Sequence, residues 1–346
     1  MVQPEHNLPS FNRSDKDQMA LGHTPSTRSA ELVAGARAVL MNTPETIALS
    51  KMSGRIVSRF LSDIDRSLNV MWFFPARIMA IEALTKRLFP DDKPDRLFVD
   101  VAAGFSPRGL HLANQYPQAT VIEVDLPEVI AEKKKRLEKG RIPIPINLHW
   151  IAADLGKDNL SDVLNGRKAD MITAEGLTLY LTPTENARLF RQISSCLKPE
   201  GAMMVEVYFK DKLQHLRQNA NVNSVASFVI RIVGNIPGLV PNMETVQKLM
   251  TEAGLGEIVE YPVTKLMDEL GQPKPLDVIS IVMAHKPAIS EWIGIAPVAE
   301  VPIKEGEDTR PLQVIPVVTT PDEHKPPAVH TPPPPSADGS SAVAGD

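Results

Sequence analysis

Cysteine is nearly absent from this chain: 346 residues carry one, Cys196. A single thiol forms neither an internal disulfide nor a zinc framework, so the expectation is a reduced, cytoplasmic setting and no metal site. Long apolar runs are missing as well. Nothing approaches the ~18 residues that cross a bilayer, and the first thirty residues hold no apolar leader. The protein reads as soluble, without a membrane partner. Charge of one sign is also lacking where it would matter. The formal net charge is -5, but Pro287 to Asp346 alone hold nine acidic and three basic residues. Residues 1 to 286 are therefore nearly neutral, which gives no support to nucleic-acid binding.

Apolar periodicity is missing at both ends. Residues 1–28 mix Pro, Asn, Ser, Asp and His. Residues 287–346 are proline-rich and acidic and finish in TPPPPSADGSSAVAGD. Such compositions bury too little surface to offset their ordering entropy, and disorder is expected for both. TPPPP also suits a polyproline II ligand, which makes an adaptor domain a candidate partner of the tail. One domain of residues 29–286 remains.

That domain is organised around LFVDVAAGFSPRGLHL, Leu97 to Leu112. An apolar run broken only by Asp100 predicts a strand buried on both faces, emptying into a turn at Gly104. Ser106 suits an N-cap and Pro107 a first helical position. A strand, a glycine turn and a helix N-terminus expose bare backbone N–H groups, as a nucleotide-like cofactor requires. A glycine after a strand also arises for steric reasons alone, so the turn does not decide.

Upstream, SAELVAGARAVL and Ile47 to Leu61 have helical spacing, with Ile56, Val57 and Phe60 on one side of the second. NVMWFFPARIMAIEALTKRLF surrounds Arg77 with bulky apolar groups. Such an arginine either has an anionic partner or snorkels to the surface. These segments form a helical cap, residues 29–90. Downstream, strands at Thr120 to Leu126, Ile146 to Leu155, Ala169 to Gly176 and Gly201 to Phe209 alternate with helices, which predicts a parallel sheet covered on both faces. Lys133 to Arg136, in the helix opened by Pro127, are expected on a solvated face. Thr182, Pro183 and Glu185 form an N-cap, a first-turn proline and a capping-box acid. Residues 210–241 are an irregular insertion whose VASFVIRIVGNIPGLVP is apolar enough for a substrate lid, or for packing on the N-terminal helices. After a helix from Met243 to Ala253, two strands, GEIVEYPV and DVISIVMAHK, are joined by a loop too short for a parallel crossover. One of them must run antiparallel.

In an open α/β sheet the ligand lies outside the carboxyl ends of the strands. Ala102, Ala103 and Gly104 end the first strand, Asp125 the second, Asp154 the third and Glu175 the fourth, with Tyr180 just beyond. An acid about twenty residues past the glycine turn can accept ribose hydroxyls. Carboxylates accept only, which suits the hydroxyls and amine of an adenosyl group. His111 and His149 lie away from the carboxyl edges and are expected to be structural.

The segments VDVAAGFSPRGL, VIEVDLPEVIAEKKKRL and ITAEGLTLYLTPTENARLF resemble the leucine carboxyl methyltransferase family, especially its bacterial tetracenomycin-like polyketide O-methyltransferases. SAELVAGARA and FPARIMAIE resemble its N-terminal helix and its arginine-bearing segment, so the likeness runs from Ser29 to Lys286. The resemblance implies a class I, Rossmann-like three-layer α/β sandwich with a seven-stranded, mostly parallel sheet, one strand antiparallel, and a helical cap. It implies S-adenosylmethionine as cofactor and O-methylation of a small molecule, a polyketide-like phenol or a carboxylate. Arg77 would then pair with the methionine carboxylate, Asp125 with the ribose, and Asp154 with Leu155 the adenine edge. Glu175 would face the methionyl amino group or the reaction centre, Tyr180 would lie at the substrate side, and Arg37 would help to close the site. Ala102 stands where the family often has glycine. A backbone contact survives there if its φ is negative. Two alternatives are an NAD(P)-dependent oxidoreductase, disfavoured by the missing third glycine and by the final strands, and a catalytically inactive S-adenosylmethionine-binding scaffold.

Overall fold

The computed structural model describes residues 25–64, 69–217 and 237–288. Four helices come first: α1 (Pro25–Met41), α2 (Pro44–Leu49), α3 (Met52–Ile64) and α4 (Phe73–Leu88). Alternation then begins, with β1 (Leu97–Val101), α5 (Arg108–Gln115), β2 (Thr120–Asp125), α6 (Pro127–Lys139) and β3 (Leu148–Ala152). It continues through α7 (Leu160–Val163), β4 (Ala169–Ala174), α8 (Pro183–Cys196), β5 (Leu197–Tyr208) and α9 (Lys210–Arg217). The last described elements are α10 (Met243–Glu252), β6 (Gly256–Pro262), α11 (Val263–Glu269) and β7 (Ile279–His285). No described helix is long and apolar enough to cross a membrane.

The seven strands form one sheet in the order β3-β2-β1-β4-β5-β7-β6. The pairs from β3 to β5 are parallel, and β7 is antiparallel to both neighbours. This is the mostly parallel sheet with one reversed strand that the sequence predicts. The strand order reverses between β1 and β4, the position at which an open α/β sheet takes a ligand at its carboxyl edge.

Strand alternation gives the sheet two apolar faces. Phe98, Val121, Met171, Met204 and Ile281 pack against Ala34 of α1, Ala80 and Ile81 of α4, Leu110 of α5 and Leu137 of α6. Val99, Val101, Ile122, Ile172 and Val205 pack against Leu160, Phe190, Ile193, Val246 and Met250. All five residues of β1 are buried, as expected of a central strand between two helical layers.

Several local expectations need correction. The helical segment after Ile47 is two helices: Ser50 has extended backbone and its hydroxyl donates to Ile47 O at 2.9 Å, which closes α2. On α3, Ile56, Val57 and Phe60 do share a side, but it faces solvent, with Ile56 63 % and Phe60 65 % exposed. The face toward α1 is instead made of Gly54, Ser58 and Leu61. Gly35 and Gly54 bring the two backbones so close that a Cβ on Gly35 would lie 2.3 Å from Gly54 O.

Helix α5 starts one residue late: Pro107 is the N-cap, while the Ser106 hydroxyl accepts from Arg108 N–H at 3.3 Å. Strand β3 is shorter than its apolar run, with Ile146 exposed. The connection between β6 and β7 holds a short helix, α11, rather than a plain loop. The basic run in α6 is not uniformly solvated. Lys133 is fully buried against Glu123 at 2.7 Å, and Arg136 is buried over the Phe105 ring with Glu132 at 2.9 Å. Only Lys134 and Lys135 of that run face solvent. The capping box at Thr182 and Glu185 is present as expected. The N-terminal helix begins at Pro25, so the disorder expected for residues 1–24 and for the tail after 288, its TPPPP motif and most of the insertion (218–236) fall outside the described residues.

Candidate functional site

The face of the sheet toward the N-terminal helices changes chemistry along its length. Two residues beyond apolar Phe98, Val121 and Met171 stand Asp100, Glu123 and Thr173, side by side in the register. One further step along the same face of three strands reaches Asp125, Glu175 and Glu206, with Tyr208 after Glu206. The period of two thus carries apolar side chains in the middle of the sheet and acids toward its carboxyl edge. Four helices on this face answer with a cation: Arg37 from α1, Arg77 from α4, Arg108 from α5 and Lys133 from α6.

Three of these cations converge on Glu175. Its Oε1 is paired with Arg37 and lies 3.2 Å from Arg77, and its Oε2 accepts from Arg108. Arg108, fully buried, also donates to Asp100, whose Oδ1 accepts from the Thr173 hydroxyl at 2.8 Å. Arg77 Nη1 donates to Glu206 Oε1 at 3.0 Å and to the Tyr208 hydroxyl at 2.9 Å. Glu206 Oε2 accepts from Gly176 N–H at 2.9 Å. The Arg77 guanidinium also sits over the Phe73 and Phe74 rings, 5.4 and 5.6 Å from their centroids. Arg77 therefore has anionic partners; it does not snorkel.

Three guanidinium groups face three carboxylates, so the buried charge balances. Burial works against ionisation of Glu175, but Arg37, Arg77 and Arg108 together outweigh it and hold the carboxyl at about 2. Burial pushes Glu206 above the usual carboxylate range, with the Arg77 guanidinium pulling only partly back. Burial likewise lowers Arg37 to about 10, against the attraction of Glu175. Three buried atoms of this cluster have no partner among the described residues: Arg77 Nε, Arg108 Nε and Asp100 Oδ2.

The glycine turn lies beside the cluster. Gly104 has φ +50°, and a Cβ there would meet nothing nearer than Ala102 O at 4.0 Å. Its N–H donates to Asp125 Oδ2 at 2.6 Å, and Leu126 N–H donates to Oδ1 at 2.7 Å. Each Asp125 oxygen keeps acceptor capacity for a further donor. Burial raises the Asp125 carboxyl in spite of these two bonds. Ala102 has φ +54°, in the left-handed region, so the negative φ on which the backbone contact was conditioned is not found. The turn takes the glycine-like path with an alanine. Ala103 N–H on Val124 O and Gly104 N–H on Asp125 hold it there.

The other expected residues are more dispersed. Ala153 N–H donates to Asp125 O at 2.9 Å and brings the end of β3 to the same edge. Asp154 itself is turned toward its own loop, with Gly156 N–H at 3.0 Å and Lys157 Nζ at 2.8 Å, and Leu155 is half-buried. Tyr180 ends a short 3-10 turn at Thr178–Tyr180 and is partly exposed. His111 pairs with Glu82 at 2.6 Å; burial opposes its protonation, but Glu82 prevails and raises its pKa. His149 is exposed on edge strand β3. The structure thus joins Arg37, Arg77 and Glu175 directly and Gly104 to Asp125.

Sequence reasoning missed Arg108, Asp100, Glu206 and Tyr208 as site residues. Asp100 and Glu206 left a signal, a lone acid inside an apolar strand. Arg108 left none, because an arginine in the first turn of a short helix is unremarkable.

The pattern of the leucine carboxyl methyltransferase family matches residues 34–194. A protein of Mycobacterium ulcerans (strain Agy99), named as a candidate S-adenosyl-L-methionine-dependent methyltransferase, is 34% identical over 114 residues, covering 32% of this chain and 36% of its own. A similarly named protein of Mycolicibacterium smegmatis is 28% identical over 225 residues, covering 59% of this chain and 72% of its own. Among solved structures, human N-acetylserotonin methyltransferase in complex with SAM aligns over 66% of this chain and 59% of its own, at 16% identity and a TM-score of 0.42. The chain spans about a third of the length of the Mycobacterium ulcerans relative it matches.

Proposed function

We propose that this chain binds S-adenosylmethionine at the carboxyl edge of its sheet and is a methyltransferase acting on an oxygen of a small molecule. The observation that carries the reading is the placement of Arg77 and Glu175, ion-paired and buried, at the same edge as Asp125 and the bare turn at Gly104. An amino-acid end needs a cation and an anion side by side, and a ribose needs an acceptor next to open backbone. The residues present fit such a group. Among the described residues Arg77 Nε is a buried donor with no partner, and no side chain lies within 4 Å of where a Cβ on Gly104 would be. The S-adenosyl-L-methionine-dependent relatives and the matched family pattern support the same reading.

In this reading Arg77 holds the carboxylate and Glu175 the ammonium. Three arginines keep Glu175 ionised far below neutrality, so it is an anchor and too weak a base to accept a proton from an alcohol. Asp125 accepts from the ribose hydroxyls, and Asp154 with Leu155 meets the adenine edge. The cofactor supplies a methyl group already activated on a sulfonium. What remains for the chain is to bind, orient and exclude water. Tyr180, partly exposed past β4, meets the acceptor in this reading. A carboxylate acceptor needs no base, whereas a phenol gains from one.

Melting curves test the cofactor, and labelled-methyl transfer to phenols and small carboxylic acids tests the acceptor. S-adenosylhomocysteine at about 100 times its Kd should stabilise the fold by about 2.7 kcal/mol, and NAD should not. A shift with NAD alone would replace this reading with an oxidoreductase. Cofactor binding without transfer to any acceptor would favour an inactive scaffold.

A further inference from the structure

We propose that Glu206 is the positioning residue of Arg77 and the acid that gives this guanidinium up to the ligand's carboxylate, so that the amino-acid end of the ligand binds with uptake of a proton. The inference rests on the cofactor reading above and adds a coupling to it.

Without ligand, Arg37, Arg77 and Arg108 are matched by Asp100, Glu175 and Glu206, all buried. Arg77 has two carboxylates on it, Glu206 through Nη1 at 3.0 Å and Glu175 at 3.2 Å from Nη2. A third carboxylate arriving at the same guanidinium places three anions around one buried cation. The ligand's own ammonium can compensate at Glu175. It does nothing for Glu206 on the other side of Arg77.

The surroundings of Glu206 explain why it is the group that yields. Among the described residues Arg77 of α4 is its only cationic contact; Arg37 of α1 goes to Glu175, and Arg108 of α5 to Glu175 and Asp100. From the end of β4 it faces the Glu175 carboxylate and the Gly176 N–H, and on its own strand Tyr208, whose hydroxyl shares Arg77 Nη1. Tyr180 acts on Arg77 from beyond β4. Its neighbour on β7 is the apolar Ile281. Once Arg77 turns to the ligand, one backbone N–H remains to hold an ionised, fully buried carboxylate. Neutralising it is then cheaper than keeping it charged. Burial already pushes Glu206 in that direction with Arg77 in place. Glu175, held by three arginines, stays ionised. The proton comes from solvent and goes to Oε1, the oxygen that Arg77 releases.

Calorimetric titration of the full chain with S-adenosylhomocysteine, repeated in phosphate and in imidazole across roughly pH 6 to 8, where the ligand's own ammonium largely keeps its proton, counts the protons taken up by the chain. The expected result is uptake rising toward about one proton per site, with affinity falling about tenfold per pH unit on the alkaline side. Glu206→Gln should bind with affinity independent of pH and with no uptake. 5′-Methylthioadenosine, which lacks the amino-acid end, should bind wild-type protein without uptake, a control that holds even if the variant fails to fold. Binding of S-adenosylhomocysteine with the same enthalpy in both buffers at every pH overturns the coupling and leaves the cofactor reading standing. Equal uptake with 5′-methylthioadenosine, or undiminished uptake in Glu206→Gln, places the proton elsewhere and also overturns it. No binding at any pH removes both.

Discussion

At the scale of single residues, the backbone of the turn after β1 is more informative than its composition. Ala102 adopts φ +54°, which costs an L-residue with a Cβ roughly 1–2 kcal/mol. Glycine there would remove that cost but would add about 0.4–1 kcal/mol of unfolded-state entropy. Ala102→Gly is therefore expected to leave stability unchanged or raise it by up to about 1.6 kcal/mol, read from chemical denaturation. A clear loss of stability would mean that the alanine methyl makes a contact worth more than the strain. Glu175 shows the same dependence on surroundings: its position at a strand end is legible in the sequence, but its ionisation is set by three arginines from three different helices.

At the scale of elements, α1 and α3 meet through glycine. The same helix α1 carries Arg37 to Glu175, so its position against α3 and its reach to the site are linked. Gly35→Ala would drive a methyl against Gly54 O and force the helices apart, an overpacking cost of about 1–3 kcal/mol. Thermal melting should show the drop, and if this variant binds S-adenosylhomocysteine its affinity should fall too, because Arg37 moves with α1. An unchanged melting temperature would show that the helices separate freely. Helical periodicity alone points the wrong way here. Ile56 and Phe60 mark a strong apolar side of α3, yet the small residues Gly54 and Ser58 form the packed side, since they permit the closest approach of the two backbones. In α6 the reverse holds: Lys133 reads as a solvated lysine and is buried, because Glu123 on β2 waits beneath it.

At the scale of the whole molecule, the balanced charge cluster ties α1, α4 and α5 to β1, β4 and β5. Its pH dependence follows from two carboxyls shifted in opposite directions. Glu206 is held above the ordinary 4.5, so its buried charge weakens the fold most above its folded value and is removed as pH falls through it. Glu175 is held at about 2; its contribution is complete above 4.5 and is lost as pH falls from 4.5 toward 2. The melting temperature should therefore hold or rise slightly as the solution is acidified from neutrality, then drop below pH 4.5. A melting temperature that stays flat from neutrality to about pH 3 would show that Glu175 is not held by its arginines.

The sequence by itself determined what short-range patterns encode. The alternation of strands and helices, the capping box at Thr182 and Glu185, one reversed strand among the last two and the acids at three strand ends all follow from spacing, chain connectivity and turn chemistry. Only the tertiary structure decided which charges meet. Arg108 lies 67 residues from Glu175 and Arg37 lies 138 away, and no periodicity relates them. Their pairing follows from which helices cover which face of the sheet, and from the cost of leaving any one of those buried charges alone.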